Sequence, residues 1–207
     1  MKYFTTFFAV LIIQLFFVFC QAGQDVTTAA SLARQVVEDT GLGTMLTLVD
    51  SSVNEDFEGF PFGLMEYYAD GCTAEDNGDL LLFMSNLQIN SRNAQHQRQK
   101  IGFTIRSLKE INQPIGNTST PVQQPRFTLL GELVQMPKSL RKHNMACFGK
   151  MHKEAKFWEQ FHDFNFYRLE VQSIYYVGGF GGMNYIGWIP LDLYQKKDKR
   201  LPLLRQD

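Results

Sequence analysis

Short apolar segments follow one another along most of this chain, and the turn residues between them point to a barrel or a sandwich. They run Thr44–Val49, Phe62–Tyr68, Leu80–Met84, Ile101–Ile105 and Phe127–Leu133. Phe164, Phe166, Leu169 and Val171 then precede Tyr175–Phe180 and Met183–Ile189. Such segments, rich in β-branched and aromatic residues and punctuated by Gly, Pro, Asn and Asp, read as six or seven short strands.

Helical spacing appears in three places. Over residues 27–38, Ala30, Ala33, Val36 and Val37 share one face, and Gly41 and Gly43 follow as stop signals. Arg92–Gln99 predicts a short polar helix, with Ser91 as its N-cap. Lys138–Gln160 predicts a longer one, with Leu140, Met151, Ala155 and Trp158 toward the core. Met145, Phe148 and Trp158 read more simply as part of a packed face than as a box around a ligand. No internal repeat and no domain linker interrupts the series.

The N-terminus is read separately. Lys2 precedes a nearly unbroken apolar run from Phe7 to Phe19, and Cys20-Gln21-Ala22 then offers small residues at a cleavage site. The run is short for a membrane span of about 20 residues, and its flanks are those of a secretory leader. The expectation is a signal peptide over residues 1–22 and one domain over 23–207 that ends in a flexible basic tail, with no membrane span left after cleavage. Export sets the address as the secretory pathway, extracellular or lysosomal/vacuolar.

Composition narrows the partners. The formal net charge is −1, and losing Lys2 with the leader makes the mature chain slightly more acidic. Nucleic-acid binders carry a basic surplus or stripe, so nucleic acid is not an expected partner. Cys72 and Cys147 remain after cleavage. In an oxidising compartment they form one disulfide or stay as two buried thiols, and the sequence leaves both open. Asn117-Thr118-Ser119, in a Pro- and Thr-rich loop, is the one N-glycosylation sequon.

Catalytic signatures are scarce. His96, His143, His152 and His162 have no zinc-type spacing to cysteine or to each other, so no metal site is expected. No serine elbow, Cys-His signature, Walker pattern or dinucleotide fingerprint is present. Two segments remain as candidates. Ser85 to Asn93 leads from a strand into a helix, where Ser, Asn and Arg side chains can face an anion. Gly178, Gly179, Gly181 and Gly182 interrupt an aromatic strand. They mark a tight turn or bulge, or else leave room for a flat cofactor ring.

The order of segments is itself informative. Gly43-Thr44-Met45-Leu46-Thr47, Gly59-Phe60-Pro61-Phe62-Gly63, Leu82-Phe83-Met84-Ser85 and Ser91-Arg92-Asn93 resemble the flavin-binding split-barrel superfamily. Pro125 to Gly131 and Tyr176-Val177-Gly178-Gly179-Phe180-Gly181 continue that order. With the leader and the sequon, the chain resembles the CREG family of secreted and lysosomal glycoproteins over about residues 28–195.

The resemblance implies an α+β, mainly β fold: a six-stranded antiparallel Greek-key split β-barrel with flanking helices, paired into a homodimer. Relatives of the pyridoxamine 5′-phosphate oxidase type hold flavin mononucleotide (FMN) in the dimer groove. The CREG branch is similar in fold, is generally thought not to bind flavin or catalyse, and meets receptor-type protein partners. By that resemblance no residue is catalytic and no cofactor is the first expectation. If FMN binds, Ser85, Arg92, Asn93, Gly178, Gly179 and Gly181 would line its site. The Asp-Pro-Arg continuation common in flavin binders is missing after Asn93, where Ala94-Gln95-His96 stands instead. A haem- or small-ligand-binding barrel is a weaker third expectation.

Overall fold

The structure, a computed structural model, describes residues 24–72, 76–96, 100–107, 122, 124–179 and 184–196. The expected leader, Asn117, Gly181, Gly182 and the basic tail beyond Lys196 lie outside the described residues. Seven antiparallel strands are present: β1 Leu42–Leu48, β2 Pro61–Ala69, β3 Leu80–Ser85, β4 Lys100–Arg106, β5 Arg126–Gln135, β6 Phe164–Val177 and β7 Ile186–Ile189. Their order is β3-β2-β1-β4-β5-β6-β7, and β3 also pairs with β6. That second pairing closes a six-stranded barrel and leaves β7 as a short flap on β6. The run β4-β1-β2-β3 is a Greek key, as expected.

Alternation decides the inside. Met45, Phe103, Ile105, Leu129, Leu169, Ile174 and Tyr176 point inward and are essentially inaccessible. Two helices close the barrel ends. Helix α1, Val26–Thr40, starts at an N-cap Asp25 that accepts from Thr28 N at 2.6 Å and stops at Gly41 in the left-handed region. Its predicted stripe of Ala30, Ala33, Val36 and Val37 is buried in the barrel core. Helix α2, Ile89–His96, packs across the opposite end on β1 and β2. It begins three residues before the expected start, so Ser91 lies buried inside the helix rather than at its cap.

Two expectations need correction. The long helix over 138–160 is broken: a single turn at Lys138–Leu140 leads into α3, Arg141–Met151, and α4, Ala155–Trp158, follows separately. The break is at His152, whose Nε2 reaches Tyr68 O at 2.7 Å and whose ring packs against Phe148. The break also rotates the buried face. Met145, Phe148 and Ala155 are buried with Leu81, Phe83 and Phe166, whereas Leu140 and Met151 are exposed. The other correction concerns residues 164–177, which form one 14-residue strand. A bulge opposite Leu130 and Gly131 puts Gln172 out of register and shifts the alternation there, so one strand reads as two segments. A Cβ on Gly131 would lie 2.1 Å from Glu170 O, so only glycine fits opposite the bulge.

A final short helix, α5 (Leu191–Gln195), returns to α1, and its Tyr194 is fully buried. Cys72, after β2, and Cys147, on α3, are joined in a disulfide with Cα atoms 5.7 Å apart. Helices α3 and α4 thereby cover the outer wall over β2 and β3. They also cover the start of β6 at Phe166, whereas over β1, β4, β5, β7 and the rest of β6 no helix covers the outer wall among the described residues.

Candidate functional site

Helix α2 carries the residues that would hold a phosphate, and most of their polar atoms are engaged in closing the barrel. Asn93 Nδ2 donates to Thr47 Oγ1 at 3.0 Å, and its Oδ1 accepts from Asp50 N at 3.1 Å. Thr47 in turn donates to Asn90 Oδ1 at 2.9 Å, and Asn90 Nδ2 donates to Met45 O at 3.3 Å. Asn90 and Asn93 are both fully buried. Buried amides without partners are costly, so this network fixes α2 on β1 rather than waiting for a ligand.

Glu66 completes that end. It sits on the inward side of β2, only 8% exposed. Burial pushes its carboxyl up to about 7, against the lowering effect of Gln88 and Asn90 side-chain hydrogen bonds. The Ser91 hydroxyl is buried nearby on α2 with no hydrogen-bond partner among the described residues. Sequence reasoning missed Glu66. Its signal was readable: one carboxylate among Phe62, Leu64 and Tyr68 at alternate, inward positions of a strand.

The other nominated residues are placed elsewhere. Ser85 donates to the carboxylate of Asp163 and accepts from Leu87 N at 3.1 Å. The Ser85 bond holds Asp163 below the usual carboxylate range, so the hydroxyl has an anion beside it already. Arg92 is exposed on α2. Gly178 and Gly179 are buried at the opposite end of the barrel, beside α1. A Cβ on Gly178 would stand 2.3 Å from Gln24 Oε1, and that oxygen accepts from Tyr185 N at 3.0 Å. The room at this glycine is filled by the chain's own Gln24.

The structure therefore brings Arg92 and Asn93 together on one helix and leaves the glycines at the far mouth. A phosphate needs several cationic donors converging on it. Among the described nominated residues Arg92 is the one cation, and Ser85 already has the Asp163 carboxylate beside it, so these residues do not fit the phosphate of FMN. No cluster of three or more His, Cys, Asp or Glu suited to a metal ion occurs among the described residues. No described helix is long and apolar enough to cross a membrane.

Solved structures share the architecture. A heme binding protein from Mycobacterium smegmatis matches with a TM-score of 0.63 and 23% identity over 81% of this chain and 60% of that one. The heme storage protein HutZ from Vibrio cholerae matches with a TM-score of 0.53 and 15% identity, covering 72% and 94%. ChuZ from Campylobacter jejuni gives 0.59 and 13%, covering 77% and 59%. This chain thus spans about 60% of the mycobacterial protein's length. At these identities the likeness concerns the fold alone. No curated protein matches the chain. The family model described as CREG, beta-barrel, matches residues 24–196, so with its closed split barrel in place the chain belongs to the CREG beta-barrel family.

Proposed function

We propose that this chain is a secreted or endolysosomal glycoprotein of the CREG type that carries no flavin, catalyses no reaction and works through protein contacts as a homodimer. The observation that carries the reading is the use of Asn93 and Ser85. Both side chains are bonded within the fold, to Thr47 and Asp50 N and to Asp163. A protein using this end for a flavin phosphate would keep such groups available and add cations.

The uncovered wall supports the contact role. Met65, Thr44, Thr104, Thr128, Tyr175 and Trp188 form one outward row across six strands. Met65 is 70% and Trp188 56% exposed. The next row, Gly63, Leu46, Gly102 and Leu130, is low and apolar. Apolar surface of this extent on one wall is typical of an interface, and a second copy is the occupant that symmetry makes simplest. A receptor-type protein would then meet the dimer on its remaining surface.

The test is the visible absorbance of protein purified from its export pathway, before and after adding FMN and, separately, haem. A colourless protein whose spectrum ignores both upholds the reading. A copurifying or titratable flavin band overturns it in favour of an FMN-dependent oxidoreductase. A Soret band overturns it in favour of a haem-binding barrel.

A further inference from the structure

The β1–β2 hairpin ends in a built tip with an unusual surface. Asp50 Oδ1 accepts from Ser52 N at 2.9 Å and from Ser52 Oγ at 2.6 Å. Asn54 Oδ1 accepts from Asp56 N at 3.1 Å and starts a single helical turn, Glu55–Phe57. Val49 then pairs with both Gly59 and Phe60 through backbone bonds of 2.8 Å. The tip is thus rigid, yet it holds Phe57 and Phe60 54% and 61% exposed, edge to face at 6.0 Å. Glu55, Asp56 and Glu58 surround them, exposed and without a salt bridge among the described residues. Two rigid, solvated phenylalanines ringed by carboxylates suit an apolar seat with a basic rim.

The same wall carries such a rim. Arg106 on β4 and Arg126 on β5 face each other directly across the sheet. Like charges in that position destabilise a strand pair. Arg126 donates to Val122 O at 2.8 Å, and no described carboxylate pairs with either arginine. Beside Arg126 in register lie Val177 and Ile186, the latter 55% exposed.

Position along the strands connects the two features. Thr44 lies opposite Thr104, so Arg106 stands level with Leu42, whereas the tip leaves β1 beyond Leu48. Six residues of strand separate those levels, about 20 Å. A two-fold axis lying in the plane of the interface and running across the strands sets two walls face to face and reverses strand direction. Passing near the row of Gly63, Leu46 and Gly102, it would carry the tip of one copy onto the arginine end of the other. That row is also the lowest on the wall, because Leu46 lies over Gly63 and Gly102, which have no side chains of their own.

We propose that the Phe57–Phe60 tip of one copy docks on the Arg106–Arg126 pair of a second copy, with Glu55, Asp56 and Glu58 neutralising the arginines, twice per dimer. This rests on the homodimer reading above and names the residues that would hold it.

The experiment uses three forms of the mature protein: wild type, a tip variant (Glu55→Lys, Asp56→Lys, Glu58→Lys) and a seat variant (Arg106→Glu, Arg126→Glu). Circular dichroism first checks that each folds; all changed residues except the half-buried Arg126 are exposed. Light scattering and sedimentation then give association constants. Wild type is expected to dimerise, each variant alone to associate about 10–100-fold more weakly, and an equimolar mixture of the two to recover as a heterodimer. The mixture restores opposite charges at both contacts, which a general loss of stability would not do. A wild-type dimer with unaffected variants, or a mixture that stays monomeric, overturns the tip-to-arginine docking and leaves the dimer reading standing. A monomeric wild type overturns both. Phe57→Ser with Phe60→Ser serves as a charge-neutral check and is expected to weaken the dimer as well.

Discussion

Arg34 on α1 and Asp70 at the end of β2 form an ion pair at 3.0 Å, with 6% and 4% of their side chains exposed. Arg34 also reaches Asp76 at 3.4 Å and lies over the Tyr194 ring at 5.4 Å. Tyr194 OH donates to Gly78 O at 3.0 Å. One buried cation thus gathers the first helix, the β2–β3 connection and the last helix. Removing it strands Asp70 in a dry pocket. Arg34→Ala is expected to cost about 3–5 kcal/mol, and Arg34→Met with Asp70→Leu clearly less. Urea denaturation of the two variants gives the comparison; equal losses would show that packing, and not the stranded charge, sets the cost.

Glu66 makes stability depend on pH. Its folded-state pKa of about 7 stands above the ordinary 4.5, because burial disfavours the carboxylate. A raised pKa means that the folded state binds the proton more tightly. The stabilisation is complete below 4.5 and is lost as the pH rises through about 7. With some allowance for partial solvent access, the swing is about 1–2 kcal/mol. Glu66→Gln, neutral at every pH, should raise the melting temperature at pH 8 and leave it nearly unchanged at pH 4.5. Thermal melts across that range would refute this account if the variant followed wild type in parallel.

The Cys72–Cys147 bond spans 75 residues of chain. Cross-links of this span restrict the unfolded ensemble, and losing one costs about 2–4 kcal/mol. Cys72→Ser with Cys147→Ser should therefore lower the denaturation midpoint, as reductant should in wild type. A variant as stable as wild type would mean that cluster packing of Phe83, Phe148 and Phe166 suffices to hold α3.

Gly178 is expected to be irreplaceable for a local reason. In Gly178→Ala the new methyl meets Gln24 Oε1, so a loss of about 1–3 kcal/mol is expected. Combining it with Gln24→Gly should recover part of that loss, and a double-mutant cycle measures the coupling. Strict additivity would show that Gln24 is not what the glycine accommodates.

Much of the fold is legible in the residues. The stripe of Ala30, Ala33, Val36 and Val37 and the alternation through Phe103 and Leu129 each point to the observed core. Failures occur where a side chain overrides a local pattern. His152 ends a helix because its ring bonds to Tyr68 O, a partner 84 residues away. The candidate end of the barrel is less legible. Asn93 reads as a donor for an anion, and only the register that brings Thr47 and Asp50 beneath it shows where its bonds go. Likewise Gly178 reads as open space until Gln24 is seen to fill it.

Strand β6 pairs with β3 on one side and with β5 and then β7 on the other. Every route around the barrel passes through it, and Leu80 finds its neighbour only in Leu169. Until β6 is available, the strands before residue 164 can form at most an open sheet with two bare edges. Closure must await the last quarter of the chain, so non-local contacts set the pace of folding. Until then the protein depends on its surroundings to keep those edges from pairing with those of other chains.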